Sequence, residues 1–331
     1  MKKLFPRIVV MLAALVVAVT FTACSDDSSG PSLTDFEVVL DAIGDWWATS
    51  PAAAIAPTPV YDDINGAQNY FILSVRAASA YDAGHIPGAI NIPWRDVAED
   101  ASLTLLPTDE TIVVYCYTGH TGGLATAALG IMGYDTENLK WGMMNWAHPD
   151  SAGGVAAWAG DQGLAVEMTA NTLTTQYELP DLEVSTSNDP AEIVQAAAQR
   201  WLDEAYPTPI ITASALYDEL NDGNAADDPL IISVRSSTDY AAGHIPGAVN
   251  FSRDDLQELS NLQLLDPDRD IVVYCYTGHS GGQATVMLLM LGYDAKNLKY
   301  GMMDWNVDYL GSPTPFSASP GYPTEAGSGS N

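Results

Sequence analysis

Cysteine is scarce in this chain of 331 residues: there are three, and two of them open nearly identical loops. The loops read Cys116-Tyr117-Thr118-Gly119-His120-Thr121 and Cys275-Tyr276-Thr277-Gly278-His279-Ser280. Each follows a β-branched run, "TIVVY" or "DIVVY", and precedes a Gly-Gly pair that opens an apolar segment. That pattern predicts strand, loop and helix, with the helix beginning near Gly122 or Gly281. A helix amino end offers unpaired N–H groups and a partial positive charge. The same field favours thiolate over thiol. Gly119 and Gly278 let the loop curl so that its amides converge on an anion. Thr121 and Ser280 are expected to cap the helix and donate a hydroxyl hydrogen bond. His120 and His279, partly charged near neutrality, are the loop's only cationic side chains, with plain loop surface as their other reading. A thiol at the open mouth of such a nest suits nucleophilic attack and the holding of an anion on its own sulfur. Two inert alternatives stand beside this. The cysteines can be buried apolar groups. They can also form a Cys116–Cys275 disulfide, which needs the loops to meet face to face, an arrangement not expected of duplicated domains.

The loops belong to a long internal repeat. Arg76 and Arg235, His85 and His244, Cys116 and Cys275, Trp141 and Tyr300, and Trp146 and Trp305 are all separated by 159 residues. A constant offset over such a span implies a duplicated domain rather than a solenoid. Within each copy, "YFILSVR" and "PLIISVR" read as buried strands, followed by a short helix, "ASAYDAG" or "STDYAAG". "HIPGA" is a turn that accounts for His85 and His244 without a metal. "INIP" and "VNFS" are brief strands, and "NLKWGMMNW" and "NLKYGMMDW" read as a last strand and turn. Upstream, "DWWATSP" answers "AAAQRWLDEAYP", and "VYDDIN" answers "LYDELN". The fold class is therefore α/β: two domains, each a doubly wound, mainly parallel sheet flanked by helices. The expected boundaries are 34–150 and 189–311, with a Gly/Ala/Ser/Thr/Asp-rich connector at 151–188 holding one extended stretch, "LTTQYELPDLEV". The Pro/Gly/Ser-rich tail at 312–331 is expected to be disordered, with a few early residues packed.

Composition narrows the partners. With 47% hydrophobic residues the chain can bury sizeable cores. Its 42 acidic against 12 basic residues exclude a basic nucleic-acid footprint. No CxxC or HExxH occurs, so no metal site is read, and no cofactor is implied. Met143, Met144, Met302 and Met303 are read as core packing beside Trp146 and Trp305. Arg76 and Arg235, at the ends of buried strands, are expected to hold carboxylates or carbonyls. At the amino end, Lys2, Lys3 and Arg7 precede an apolar run from Ile8 to Phe21, then Thr22-Ala23-Cys24. This is a secretory signal whose end resembles the lipobox of bacterial lipoproteins, with Phe21 untypical at its start. The resemblance implies cleavage after residue 23 and lipidation of Cys24. A tether at 24–33 follows, the membrane is touched only through the lipid, and the net charge after cleavage is 9 basic against 42 acidic residues, −33. Ser25 after the lipidated position favours the outer membrane, facing the periplasm or exterior.

Taken together, "SVR…Y(D/A)AGHIPGA(I/V)N", "VVYCYTGH(T/S)GG" and "GYD…NLK(W/Y)GMM(N/D)W" resemble rhodanese (sulfurtransferase) domains, twice, over most of 45–150 and 200–311. The resemblance implies a persulfide on Cys116 and Cys275, cradled by Tyr117–Thr121 and Tyr276–Ser280 and supported by Arg76 and Arg235. It implies small sulfur-containing anions as donors and a thiol or other thiophile as acceptor. Two departures bear on the donor. Ser74 and Ser233 stand where the family commonly has Asp, and the loop lacks the cationic side chains that often attract thiosulfate. Capture then falls to the loop's local field, since charges are screened over a length of roughly 8 Å, and a polysulfide, a protein persulfide or a selenium analogue becomes a candidate donor. A phosphatase of related loop design would need arginine at position 122 or 281, where glycine stands. The remaining alternative is a non-catalytic sulfur or chalcogen carrier, or a cell-envelope interaction module.

Overall fold

A computed structural model describes residues 33–49, 54–203 and 208–327. The signal segment, Cys24 and the tether before Leu33 lie outside the described residues. In the first half, Tyr70–Ser74 (β1), Ile90–Asn91 (β2), Thr111–Tyr115 (β3) and Thr136–Asn138 (β4) form a parallel sheet in the order β2-β1-β3-β4. Ile55 extends its far edge through a parallel bridge to Leu139. In the second half, Ile210–Ile211 (β5), Leu230–Ser233 (β6), Val249–Asn250 (β7), Ile271–Tyr274 (β8) and Ala295–Leu298 (β9) run β5-β9-β8-β6-β7. The two sheets are the same design, with β5 a regular strand where the first half has one bridge.

The strands lack alternation because both faces are covered. Ile112 and Val114 face one core, Val113 and Tyr115 another, and all are fully buried. Ser74 pairs with Tyr115, so β1 and β3 end together. The chain turns to β2 on one side and to β4 on the other, which opens a crevice at these carboxyl ends.

The first half carries helices Asp35–Thr49 (α1), Pro57–Ile64 (α2), Ala78–Ala83 (α3), Asp100–Leu103 (α4), His120–Ile131 (α5) and Gly142–Trp146 (α6). The second carries Pro190–Leu202 (α7), Ala213–Leu220 (α8), Ser237–Ala242 (α9), Leu259–Leu262 (α10), His279–Met290 (α11) and Met302–Trp305 (α12). The last segments, expected as strand and turn, are strand followed by a short helix. Met143, Met144, Met302 and Met303 are buried in the cores, as their spacing beside Trp146 and Trp305 predicts. Helices α5 and α11 are apolar on all sides because α5 packs on α11 and each covers its own sheet. Helix α1 lies so close to α5 that a Cβ at Gly130 would fall 2.1 Å from Trp46 Nε1. It also packs on α7, and Trp47 donates to Asp254 across the halves. One hydrophobic core therefore runs through both halves, from Trp46 and Leu124 to Trp201 and Leu288, with a smaller core on each half's outer sheet face, the second half's taking in Trp141 and Met144 of the first.

The connector and the tail depart from expectation. "LTTQYELPDLEV" forms no ladder strand, although its Leu182 enters the shared core. The connector instead wraps the second half: Leu164 N–H donates to Trp305 O (2.9 Å), Trp305 Nε1 to Ala165 O (2.9 Å), and Glu167 forms an antiparallel bridge with His244. The tail, expected to be disordered, wraps the first half in the same way as far as residue 327. Tyr322 N–H donates to Trp146 O (2.8 Å), Trp146 Nε1 to Pro323 O (2.9 Å), and Glu325 bridges His85. Tyr322 stacks on Tyr61 with centroids 4.1 Å apart. Its prolines and glycines shape a strap whose two anchors, an indole and a turn, lie more than 170 residues back in the chain. A disordered tail would leave stability untouched by Tyr322→Ala; the strap predicts a loss of about 1–3 kcal/mol in chemical denaturation.

Candidate active site

Each cysteine is the first residue after a central strand, β3 or β8, and three residues later the backbone turns left-handed at Gly119 (φ 81°) or Gly278 (φ 84°). That turn aims the glycine N–H back at the sulfur: Gly119 N to Cys116 Sγ and Gly278 N to Cys275 Sγ are both 3.1 Å. The helix then starts at His120 or His279, two residues earlier than the sequence suggests. Thr121 and Ser280 therefore lie inside the first turn and do not cap it; the N-caps are the left-handed glycines, with no side-chain cap.

A second segment forms the floor. Asn138 Nδ2 donates to Gly119 O (2.9 Å), and Asn297 Nδ2 to Gly278 O (2.9 Å). Met143 and Met302 N–H groups hold the carbonyls of Cys116 and Cys275, and Met144 and Met303 those of Tyr117 and Tyr276. Reaching them requires positive φ at Trp141 (64°) and Tyr300 (61°) and at the glycines that follow. A Cβ at Gly142 would lie 2.4 Å from Cys116 O. Gly122 and Gly281 are equally constrained, since a Cβ there would meet the side-chain oxygen of Asn138 or Asn297 at 2.9 or 2.8 Å. Sequence reasoning quoted these asparagines without assigning them a role; their 159-residue spacing was the available signal.

The two loops face each other, against expectation. His120 Nε2 accepts the N–H of Tyr300 (2.9 Å), and His279 Nε2 that of Trp141 (3.2 Å). An Nε2 lone pair occupied this way places the proton on Nδ1, which faces Thr118 Oγ1 (2.9 Å) or Thr277 Oγ1 (3.1 Å). The two imidazoles stack with centroids 5.8 Å apart. Bare glycines permit the approach, because a Cβ at Gly278 would lie 2.7 Å from His120 Nε2 and one at Gly119 2.8 Å from His279 Nε2. Neither histidine is surface, and neither is partly charged near neutrality. Burial holds His120 well below the usual imidazole range, aided by His279 and Lys299. Burial, with Lys140, brings His279 down to about 3. They are structural acceptors and supply no cation to an incoming anion.

Two further expectations are corrected. Cys116 and Cys275 are each only 1% exposed, so neither sits at an open mouth. Though the loops meet, both cysteines are free thiols. Of the loop residues Tyr117 is the most open, at 38%. Arg76 and Arg235 hold carbonyls, as expected: Arg76 donates to Gly84 O (2.6 Å), and Arg235 to Gly243 O (2.5 Å) and Tyr309 O (2.8 Å). Each guanidinium lies over two tyrosine rings, one the last strand residue and the other Tyr117 or Tyr276. With Ser74 and Ser233 in place of aspartate, the buried Nε of each arginine has no hydrogen-bond partner among the described residues. His85 and His244 stack on Tyr81 and Tyr240 at 3.8 Å and hydrogen-bond their carbonyls through Nδ1, which is a structural role.

These features, a parallel sheet with a cysteine loop curled onto a helix start and built twice, match the Rhodanese-like domain family at residues 57–149 and 212–308. The chain belongs to that family, as a tandem of two such domains. It is 31% identical over 126 residues to a probable adenylyltransferase/sulfurtransferase MoeZ of Mycobacterium tuberculosis, covering 37% of this chain and 32% of that one. The chain thus spans about a third of that relative's length. It is 33% identical over 81 residues to the thiosulfate sulfurtransferase PspE of Escherichia coli, covering 24% of this chain and 78% of that one. Over 281 residues it is 24% identical to a putative thiosulfate sulfurtransferase of Saccharopolyspora erythraea, covering 75% and 86%.

The histidine clasp makes a pH prediction. A folded-state pKa below the unfolded value of about 6.5 gives stability that is complete above that value and is lost as pH falls toward the folded pKa. Going from pH 7.5 to 5, each histidine is expected to cost up to about 2 kcal/mol of stability. Urea denaturation at both pH values should show a smaller loss in His120→Gln/His279→Gln than in the parent.

Proposed function

We propose that the chain is a sulfurtransferase that carries sulfane sulfur on Cys116 and Cys275. The observation that supports this most directly is the N–H of Gly119 or Gly278 aimed at each sulfur, a contact that strengthens as the sulfur gains negative charge. The Cys thiolate attacks the outer sulfur of thiosulfate, the S–S bond of the donor breaks, and its electron pair leaves with sulfite. The product is a Cys–S–S⁻ whose charge the loop amides receive. A thiophilic acceptor then takes the outer sulfur: cyanide gives thiocyanate, a thiolate gives a new persulfide, and the cysteine thiolate is restored. Polysulfide or a protein persulfide serves the first step by the same exchange. Because the sulfurs are covered, the donor reaches them only when neighbouring side chains part.

That coverage also favours a second reading, a carrier that holds sulfur without turnover. Cyanide discharge separates the two: a transferase returns to free thiol, whereas a carrier keeps its extra sulfur. Cys116→Ser and Cys275→Ser are each expected to leave transfer by the other loop, and the double variant to lower thiocyanate formation at least about 100-fold. Full activity in the double variant would eliminate the reading.

The cell-envelope location and the lipid on Cys24 are part of the same proposal and rest on the signal-like sequence alone. Cys24→Ala expressed in a bacterial host is expected to lose incorporation of labelled palmitate that the parent chain shows.

A further inference from the structure

The two sites share a backbone and differ in charge and polarity. Arg76, 1% exposed, lies 5.5 Å above the Tyr115 ring and 5.7 Å above that of Tyr117. Among the described residues no carboxylate lies within ion-pair distance of it. Arg235 occupies the same place over Tyr274 and Tyr276 and likewise has no carboxylate at ion-pair distance among the described residues, but a carboxylate is bound to its Tyr276 neighbour. Tyr276 Oη donates to Asp239 Oδ2 at 2.7 Å, and Ser236 Oγ to the same oxygen at 2.8 Å. The Tyr276 and Ser236 hydrogen bonds, with Arg235, hold the Asp239 carboxyl below its usual range, so it is ionised. The first half has Ala80 at the matching position, and there the Tyr117 hydroxyl only accepts the N–H of Ala77 (3.3 Å).

A second difference comes from across the interface. The Tyr300 hydroxyl, from the second half, donates to Met144 Sδ (3.7 Å) beside the first loop. Burial pushes it up to about 12, so it remains a proton donor there. The matching position facing the second loop is Trp141, which has no hydroxyl. The first loop is also more open, with Tyr117 at 38% and Thr118 half-buried, while Thr277 is 7% exposed.

We infer that the two cysteines divide the work by donor charge: Cys116 is loaded preferentially by anionic sulfur donors, and Asp239 makes Cys275 the slower site for them. This rests on the transferase reading above and adds which site takes which donor. A fixed carboxylate bound to the residue next to Cys275 opposes a dianion, while Tyr117, next to Cys116, binds no carboxylate among the described residues. In a partly buried site one such charge changes anion occupancy by roughly an order of magnitude. Asp239 is thus a specificity-determining residue that acts on the approaching donor rather than on the bond that breaks.

Alkylation of the full-length reduced chain by anionic iodoacetate and by neutral iodoacetamide, read at each cysteine by peptide mass spectrometry, measures this charge preference independently of sulfur transfer. The iodoacetate-to-iodoacetamide rate ratio is expected to be about tenfold higher at Cys116. Asp239→Asn should raise the ratio at Cys275, and Ala80→Asp should lower it at Cys116. With thiosulfate, the persulfide should form first on Cys116. Equal ratios at the two cysteines, or a Cys275 ratio indifferent to Asp239→Asn, overturn the division while leaving transfer intact. Failure of both cysteines to take up sulfur overturns the transferase reading and this one with it.

Discussion

Two peptide N–H groups, at Trp141 and Tyr300, hold this molecule's centre together. The left-handed turn that places the neighbouring N–H groups under each cysteine loop points these two out of their own domain. A buried N–H without an acceptor is costly. Each finds its acceptor in an imidazole from the other domain, so the two loops cannot be built separately. The bare glycines at 119 and 278, the Nδ1 proton on each histidine and the close contact of α5 with α11 all follow from that requirement.

The same requirement shapes the chemistry. An imidazole that accepts from a peptide must stay neutral, and burial enforces it. The loops therefore offer an anion only peptide dipoles and hydroxyls, with the surrounding positive charge on Lys140 and Lys299 and on Arg76 and Arg235 behind tyrosine rings. In so acidic a chain that leaves local dipoles and these few positive charges to set what approaches the sulfurs. A symmetric backbone can then carry unequal sites, because a single side chain at 80 or 239, or at 141 or 300, changes the local balance without touching the loop.

Much of the architecture was legible from residues. The unbroken β-branched runs at 111–115 and 271–274 marked buried central strands, and the constant offset marked the duplication. The "HIPGA" turn, the core methionines and the carbonyl-bound arginines were read correctly from local chemistry. What escaped were the contacts between halves. His120 is a polar residue in a loop, and nothing within "CYTGH" says that its acceptor nitrogen serves residue 300. Tail composition likewise argues for disorder, since Pro and Gly hide anchors such as Tyr322 whose partners are remote in sequence. The helix start was misplaced by two residues because Gly-Gly resembles a boundary, whereas here it is the thinness that lets Asn138 and Asn297 reach under the loops.

The connector clasps the second domain at Trp305 and His244, and the tail clasps the first at Trp146 and His85, through matching bonds. Each half thus surrenders its trailing segment to its sibling, as identical subunits do when they exchange arms, here within one covalent chain. Neither half alone is a self-sufficient folding unit: excised, it would keep its sheet and lose the segment that seals it. The molecule should therefore melt as one entity, and a nick in the linker should leave two fragments still embracing.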